Sequence, residues 1–331
     1  MIKKKILYVG PSHPDSSSFS RYKGIKKKVQ NVDFLQTQNT QGFFYKLKNK
    51  IGFSKNKKII DQIESIYKNY DLIWLDKPSY LNLEIIEKIK ENKNKIKLVC
   101  HVTDDIDNKN HNWEVFKKTL IYYDFIFTCN QLNIDKYRNF NFFYNELGYD
   151  PDDYFYNQND IKLKKKSFIS FYGHHEKYYK ITIKKIANLI CDDYFINMGG
   201  QGWWKSVDLL LHNKVKIQLG WVSKKKMINK YKNSIAALGL YSSLNRNKTS
   251  GRIFELAALG VPIIAESNDL LDKLLEKNYI KISSEKKYFD EIFKDENYLN
   301  LIRSRANTLI LEKKCSWFDR IEECFAIIGY E

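Results

Sequence analysis

The stretch from Ser250 to Glu266 reads Ser-Gly-Arg-Ile-Phe-Glu-Leu-Ala-Ala-Leu-Gly-Val-Pro-Ile-Ile-Ala-Glu. Apolar side chains at helical spacing predict a helix over residues 251–259, and the apolar run that follows predicts a strand over 261–265. Another apolar run predicts a strand at residues 235–240, before a polar loop. A strand, a helix and a further strand in this order are typical of a parallel α/β sheet.

The same alternation extends through both halves of the chain. Further strands are predicted at residues 4–9, 32–35, 71–75, 96–102, 125–128, 140–147, 168–172, 194–198 and 215–219. Helices are predicted at residues 19–28, 57–70, 83–90, 113–122, 177–189, 224–231 and from 297 to the end. Turn formers and a lysine run between residues 148 and 166 predict a linker.

These patterns predict an α/β protein with two Rossmann-like domains that face each other across a cleft. A chain of 331 residues exceeds the usual size of one hydrophobic core. We place the first domain at residues 1–152 and the second at 163–315. Ligands of such sheets bind beyond the carboxyl ends of the strands, here in the cleft.

The composition narrows the class of protein. The formal charge is +17, with 56 Lys+Arg against 39 Asp+Glu, which favours nucleotide phosphates, nucleic acid or an acidic membrane as partners. No apolar run reaches the ~20 residues of a membrane span, and the run at residues 6–9 is too short for a signal peptide. We therefore expect a cytoplasmic protein. The five cysteines are scattered and lack zinc-like spacing, so no metal site is expected.

The start of the helix at Gly251 has the chemistry of an anion site. The unpaired N–H groups of its first turn and its positive dipole end face the preceding polar loop, and Thr249 or Ser250 can cap it. Lys248 and Arg252 add positive charge at the same place, and a guanidinium can hold a phosphate with two parallel donors.

Glu255 follows one turn later, where a carboxylate can accept hydrogen bonds from ribose hydroxyls. A simpler interpretation remains open for both charged residues of this turn. Glu255 can be a favourable partner of the helix dipole, and Arg252 can belong to a surface ion pair.

The 250–266 stretch resembles the R-x-F-E-x-x-A-x-G-x-P signature of GT-B glycosyltransferases. It is most similar to the family described as spore-maturation-protein-like, or glycosyl transferases group 1. Other segments resemble that family in the same order along the chain: Tyr8-Val9-Gly10 with Arg21, Val102-Thr103-Asp104-Asp105, and residues 123–128, 168–173 and 316–320. The resemblance implies a GT-B fold in which the last helix, residues 316–331, crosses back to the first domain.

The resemblance also implies roles for individual residues. Glu255 would bind the donor ribose, while Arg252 and the amides of Ser250, Gly251 and Ile253 would bind the diphosphate. Lys177 or Lys180, after Gly173, would be a second phosphate cation, and the backbone at Trp221 and Val222 would hold the base. Many retaining members carry a second Glu eight positions before the ribose Glu, where this chain has Asn247, so the stereochemistry stays open.

Three first-domain residues at the end of a predicted strand are candidates for catalysis. His101, Asp104 and Asp105 are of the types that serve an inverting transferase as general base. Alternatively, Asp104 or Asp105 caps a turn. The nearby loop of Gly10 to His13 and Arg21 are weaker candidates. GT-B enzymes hold the diphosphate with a helix dipole and cations, so the resemblance implies neither a metal nor another cofactor.

The leading hypothesis is transfer of a sugar from a nucleotide-sugar to a hydroxyl of a glycan or lipid-linked acceptor, in surface glycan or polysaccharide biosynthesis. Two interpretations of the basic segments at residues 3–5, 26–28 and 46–58 remain open: peripheral contact with an anionic membrane at its inner face, or ordinary solvated faces, which we favour slightly. Two alternatives remain: a nucleic-acid-binding protein, for which no recognition motif is found, and a GT-B-fold epimerase or catalytically silent homologue.

Overall fold

The computed structural model describes residues 2–37, 55–79, 81–91, 96–108, 113–156, 167–243 and 249–330. The chain divides into two compact units. Unit 1 comprises residues 1–146 together with 317–331, and unit 2 comprises residues 147–316. The predicted linker at 157–166 and most of the basic segment at 46–58 lie outside the described residues.

Unit 1 alternates strands and helices. Its strands are β1 (Ile2–Gly10), β2 (Val29–Gln36), β3 (Leu72–Asp76), β4 (Lys97–His101), β5 (Phe125–Thr128) and β6 (Phe142–Tyr144). Its helices are α1 (Ser17–Lys28), α2 (Lys55–Ile66), α3 (Leu83–Glu91), α4 (Glu114–Thr119), α5 (Gln131–Lys136) and, at the carboxyl end of the chain, α13 (Trp317–Ile328).

The strands of unit 1 form a parallel sheet in the order β2-β1-β3-β4-β5-β6. Helices cover both faces: Ile25 of α1 and Phe325 of α13 pack on one, and Ile63 of α2 and Ile86 of α3 on the other. A strand buried on both faces is a continuous apolar run, which is why the sequence pattern located these strands. Successive strands are added on one side of β1 and then on the other, so the switch point of this sheet lies between β1 and β3.

Unit 2 repeats the pattern. Its strands are β7 (Phe168–Tyr172), β8 (Phe195–Gly200), β9 (Val215–Leu219), β10 (Ala236–Leu238), β11 (Ile263–Ala265) and β12 (Ile280–Lys281). Its helices are α6 (Lys177–Leu189), α7 (Val207–Leu210), α8 (Lys224–Lys232), α9 (Gly251–Ala258), α10 (Asp269–Leu275), α11 (Lys286–Lys294) and α12 (Glu296–Glu312).

The sheet of unit 2 has the order β12-β11-β10-β7-β8-β9, and its strand pairs are parallel. Counted from the first strand of the unit, this is the 3-2-1-4-5-6 order of dinucleotide-binding folds, with its switch point between β7 and β10. Ile183 of α6 packs on one face, while Tyr231 of α8 and Phe254 of α9 pack on the other.

The predicted fold class is confirmed, including the packing of the last helix on α1 of the first unit. Some local predictions were wrong. The helix predicted over 57–70 ends at Ile66 and continues as a short 3-10 turn, and the strand predicted over 140–147 spans Phe142–Tyr144. Helices α10 and α11 were not predicted. Among the described helices, none combines the length and apolarity needed to cross a bilayer.

Candidate functional site

The carboxyl end of β7 is fixed by close backbone contacts. The amide of Gly173 donates to the carbonyl of Gly199 at 3.0 Å, and the Gly173 carbonyl accepts from Nε1 of Trp203 at 2.8 Å. Gly200 has φ +138°, and a Cβ built there would lie 2.0 Å from the Gly173 oxygen. Only glycine therefore allows the ends of β7 and β8 to approach this closely.

The segment predicted to bind the base, residues 220–222, lies beside the ends of β7 and β8. Gly220 has φ +90° and forms an isolated bridge with Gly200. Val222 packs into the unit 2 core, and its Cγ2 would lie 3.0 Å from a Cβ at Gly199. Trp221, between these two, is 52% exposed. The structure thus brings Gly173, Trp221 and Val222 together around β8.

Helix α9 begins at Gly251, with Ser250 as its extended N-cap residue (φ −139°, ψ 149°). The predicted cap position is right, but the Ser250 side chain makes no capping hydrogen bond. Its Oγ is buried without a hydrogen-bond partner among the described residues. Among the described residues, no atom lies within 4 Å of a Cβ built at Gly251, so they leave open space at the helix start. Lys248 and Asn247 lie outside the described residues.

Arg252 connects α9 to the switch point. Its Nη2 donates to the carbonyl of Tyr172, the last residue of β7, at 2.9 Å, and its guanidinium lies 5.3 Å from the ring centroid of Tyr231. Its Nη1 donates to Oε2 of Glu255 at 2.8 Å. The ion pair considered as the simpler interpretation is therefore present, although both side chains remain about one-fifth exposed (21% and 23%).

Tyr154 is a neighbour of Glu255 that the sequence did not indicate. The phenol is buried, and burial followed by the charge of Glu255 raises its pKa above the ordinary value. The Tyr154 hydroxyl therefore lies near the Glu255 carboxylate. Glu255 is thus paired with a cation on its own helix and has a phenol from a distant loop as a neighbour. No sequence signal links Tyr154 to Glu255, because about 100 residues separate them.

The two predicted phosphate cations have different surroundings. Lys177 is exposed at the first position of α6. Lys180 forms an ion pair with Asp208 of α7 at 2.9 Å, which Lys184 also joins at 3.2 Å. Hydrogen bonds from Lys180 and then Lys184 lower the pKa of Asp208 to about 2. The structure gives Lys180 a partner that the sequence did not predict.

The three candidate catalytic residues of the first domain differ in burial and in the groups that they contact. His101 ends β4 inside unit 1, fully buried beside Trp74 and Phe127, and neither ring nitrogen has a hydrogen-bond partner among the described residues. Burial, followed by the charge of Arg21, holds the pKa of His101 well below its ordinary value. The imidazole is therefore neutral near pH 7.

Asp104 and Asp105 follow in the next loop. Asp104 is partly exposed, and its Oδ2 lies 3.3 Å from Nζ of Lys77. Asp105 is buried, and its Oδ1 accepts the amide of Asp107 at 3.0 Å. This geometry is the turn cap considered as the alternative to catalysis. A catalytic role for the three residues stays a prediction.

A buried charge network lies at the switch point of unit 1. Arg21 of α1 donates two hydrogen bonds to Asp76, which ends β3, at 2.7 and 2.9 Å. Tyr8 and Ser18 donate to the same carboxylate at 2.6 and 2.9 Å. Burial alone would raise the pKa of Asp76, but the charge and hydrogen bonds of Arg21 lower it to about 2. Arg21 is therefore a structural residue of this network.

Metal ligands do not gather in the described part of the chain. No three His, Cys, Asp or Glu side chains come together there in a way that holds a metal ion.

Comparison with known proteins agrees with this geometry. Residues 180–324 match a family described as Glycosyl transferase-like. The matched residues include α9 with Arg252 and Glu255 and extend into α13. No curated protein was found to match the chain.

Solved structures resemble the whole chain despite low sequence identity. HepE from Anabaena, in complex with UDP-glucose, is 14% identical with a TM-score of 0.69, covering 98% of this chain and 99% of its own. Sucrose-phosphate synthase from Thermosynechococcus elongatus is 10% identical with a TM-score of 0.71, covering 99% and 98%. An alpha-glucosyltransferase in complex with UDP is 13% identical with a TM-score of 0.65, covering 99% and 100%.

These matches confirm the resemblance that the sequence motifs indicated. The family match covers the stretch with the Arg-x-Phe-Glu motif, and the structural matches span both units. Residues 180–324 therefore match the family described as Glycosyl transferase-like, in a chain that has the GT-B fold.

Proposed function

We propose that this protein is a GT-B glycosyltransferase that uses a nucleotide-sugar donor. The observation that carries the proposal is the position of Arg252. Its guanidinium reaches from the start of α9 to the end of β7, at the switch point where such sheets bind nucleotides. The family match includes this helix, and the structural relatives HepE and alpha-glucosyltransferase are in complex with UDP-glucose or UDP.

The donor would occupy the open space at the start of α9. The amides of Ser250 and Gly251, the helix dipole and Arg252 would stabilise a diphosphate without a metal ion. The amide of Ile253, which the resemblance also implied as a donor, instead donates to the Ser250 carbonyl at 3.0 Å. Glu255 accepts hydrogen bonds from the ribose. In the structure Arg252 and Glu255 neutralise each other, so a bound diphosphate would draw Arg252 away while ribose hydroxyls replace it at Glu255.

Two other parts of unit 2 would complete the donor site. Trp221 and Val222 stand where the base would be held through backbone groups, and Gly173 supplies the tight strand end beside them. Lys177 remains the better placed of the two predicted phosphate cations, because Lys180 is engaged by Asp208. The donor is expected to be a UDP-sugar, since relatives are in complex with UDP.

A nucleotide panel tests the donor site. UDP is expected to raise the melting temperature of the protein more than GDP, ADP or CMP, because a ligand that binds only the folded state stabilises it. Glu255→Gln should weaken UDP binding about tenfold or more, since a charge-assisted hydrogen bond contributes ~1.5–3 kcal/mol. Thermal shift and titration calorimetry measure both effects.

The matched control for Glu255 is Glu276→Gln. Glu276 belongs to an exposed ion pair with Arg305 in the same unit, at 3.0 Å. Its variant should bind UDP as the unchanged protein does. Equal UDP affinity in the two variants would show that the ribose role of Glu255 is wrong, and no response to any nucleotide would rule out the donor site.

We further propose that unit 1 contributes Asp104 to the transfer, with a hydroxyl of a glycan or lipid-linked molecule as acceptor. Asp104 is the partly exposed carboxylate of the pair, and its Oδ2 lies 3.3 Å from Nζ of Lys77. A carboxylate in this position can accept the proton of an attacking hydroxyl. A role in surface glycan synthesis is part of this proposal.

Asp104→Asn is expected to lower turnover by roughly 10²–10⁴-fold while leaving nucleotide affinity unchanged, which is the range for a general base. The assay measures release of the nucleoside diphosphate from the donor that the panel identifies. Asp105→Asn is the control, because the side-chain oxygen of asparagine can still accept the Asp107 amide and keep the turn, so turnover should be unchanged if Asp105 is only a turn cap. Full turnover in Asp104→Asn would refute the assignment.

A further inference from the structure

One short segment of unit 2 presents apolar side chains in two opposite directions. In residues 203–211, Trp203 and Leu209 are buried completely in the core. Trp204, Val207 and Leu211 are 63%, 60% and 81% exposed, and the next most exposed apolar side chain is Leu210 at 38%. Val207 and Leu211 are four residues apart and lie on one side of α7, and Trp204 lies in the 3-10 turn Trp203–Lys205 just before it. The core therefore anchors a segment whose outer side is also apolar.

Helix α6 extends this surface. Ile181 is 58% exposed and lies between Lys177 and the exposed pair Lys184 and Lys185 at helical spacing. Contacts join α6 to the apolar segment at two places: Lys180 and Lys184 bind Asp208 of α7, and Asn188 hydrogen-bonds His212 at 3.0 Å. We call the combined area the basic–apolar surface: Lys180, Ile181, Lys184, Lys185, Trp204, Lys205, Val207, Asp208, Leu210 and Leu211.

The charge of the basic–apolar surface is positive. Its four lysines face a single acid, Asp208, which two of them already neutralise. The Lys205 ammonium lies 5.4 Å from the ring centroid of Trp204, so cation and aromatic ring stand side by side. Tryptophan and aliphatic side chains flanked by lysines are typical of surfaces that enter the boundary between lipid headgroups and acyl chains.

We propose that the basic–apolar surface docks this protein on an anionic lipid bilayer. The apolar side chains would enter the headgroup boundary, while the lysines would pair with the lipid phosphates. This surface differs from the basic segments noticed in the sequence. Lys4 and Lys5 lie in a β-strand and are paired with Asp71 and Asp33, and Lys28 is paired with Glu322.

Other partners fit the surface less well. A nucleic acid offers phosphates and stacking bases, which match lysines and Trp204 but leave Val207, Leu210 and Leu211 without a partner. A second copy of this chain would meet a like charge. The five apolar side chains of the surface together expose roughly 500 Å² of apolar area, taking roughly 200 Å² for a fully exposed aromatic side chain. A stable interface buries about 800 Å² per partner.

Vesicle binding tests the proposal with the full chain. Sedimentation with phosphatidylcholine vesicles that also contain anionic phosphatidylglycerol should carry the protein down, whereas pure phosphatidylcholine vesicles should not. Trp204→Ser/Leu211→Ser should lower the partition coefficient by about tenfold or more, because exposed apolar groups lose their burial in lipid. Lys184→Glu/Lys185→Glu should lower it similarly at low salt.

Matched controls come from the same unit. Leu301 and Leu311 of α12 are also exposed, at 66% and 56%, so Leu301→Ser/Leu311→Ser removes comparable apolar area elsewhere. Lys225→Glu/Lys226→Glu reverses two adjacent exposed lysines on α8, which packs on the other face of the sheet. Both controls should bind vesicles like the unchanged protein.

Three outcomes would overturn the proposal. Equal partitioning of all variants would show that this surface is not the docking site. A dimer that Trp204→Ser/Leu211→Ser dissociates, without vesicle binding, would assign the surface to a second copy. Binding to a DNA duplex that Lys184→Glu/Lys185→Glu abolishes, without vesicle binding, would assign it to nucleic acid. None of these readouts requires catalysis, so the donor proposal can fail or hold independently.

Discussion

Asp76→Asn is expected to lower the free energy of unfolding by about 3–5 kcal/mol, the range for breaking a buried ion pair. The loss is large because Arg21 would keep its charge inside unit 1 without a counter-charge. Both side chains are 0% exposed. Tyr8 and Ser18 would also lose the carboxylate that accepts their hydrogen bonds. Denaturant unfolding followed by circular dichroism measures the change.

The control is an exposed ion pair between helices of the same unit. Lys28 of α1 contacts Glu322 of α13 at 2.8 Å, and both side chains are exposed. Glu322→Gln should change stability little, because solvent and salt screen such pairs. If Asp76→Asn is as stable as Glu322→Gln, the buried charge of Arg21 must be compensated in another way.

The same carboxylate predicts a pH dependence. Its folded pKa of about 2 lies below the usual value of 3.8, so the unfolded chain binds the proton more readily. The stability that Asp76 contributes is therefore present above pH 4 and is lost as the pH falls from 4 to 2. The Asp76→Asn variant should show a flatter stability profile across this window.

Gly200→Ala is expected to lower the free energy of unfolding by about 2–5 kcal/mol, through backbone strain and overpacking together. Gly200 has φ +138°, and the new Cβ would lie 2.0 Å from the carbonyl oxygen and 2.8 Å from the carbonyl carbon of Gly173. Backbone atoms cannot move aside as a flexible side chain does. The ends of β7 and β8 would separate, so UDP binding should weaken as well.

Gly220→Ala tests the effect of backbone strain without a steric clash. Gly220 also has a positive φ of +90°, but a Cβ there meets nothing within 4 Å. Its variant should therefore carry only the cost of placing alanine in a left-handed backbone conformation, about 1–2 kcal/mol. Thermal and denaturant unfolding of the two variants give the comparison. Equal losses would mean that the loop at Gly173 relaxes and that close approach is unimportant.

The proposed donor site was partly visible in the sequence. The start of α9 at Gly251 was predicted, since an apolar helix pattern follows a polar loop there. An ion pair of Arg252 was foreseen as an alternative without its partner, which in the structure is Glu255, three residues along the same helix. The contacts of Arg252 with Tyr172 and of Glu255 with Tyr154 were not, because each joins segments far apart in the chain.

By itself, the sequence determined the alternation of strands and helices, most of their bounds and the position of the predicted anion site. It did so because periodicity, turn residues and helix starts are local properties of neighbouring residues. Only the tertiary structure decided that Asp76 forms a buried ion pair with Arg21 and that His101 is fully buried. It also decided that α6 and α7 share the basic–apolar surface. These features depend on strand order and helix packing, which bring together side chains that no local pattern connects.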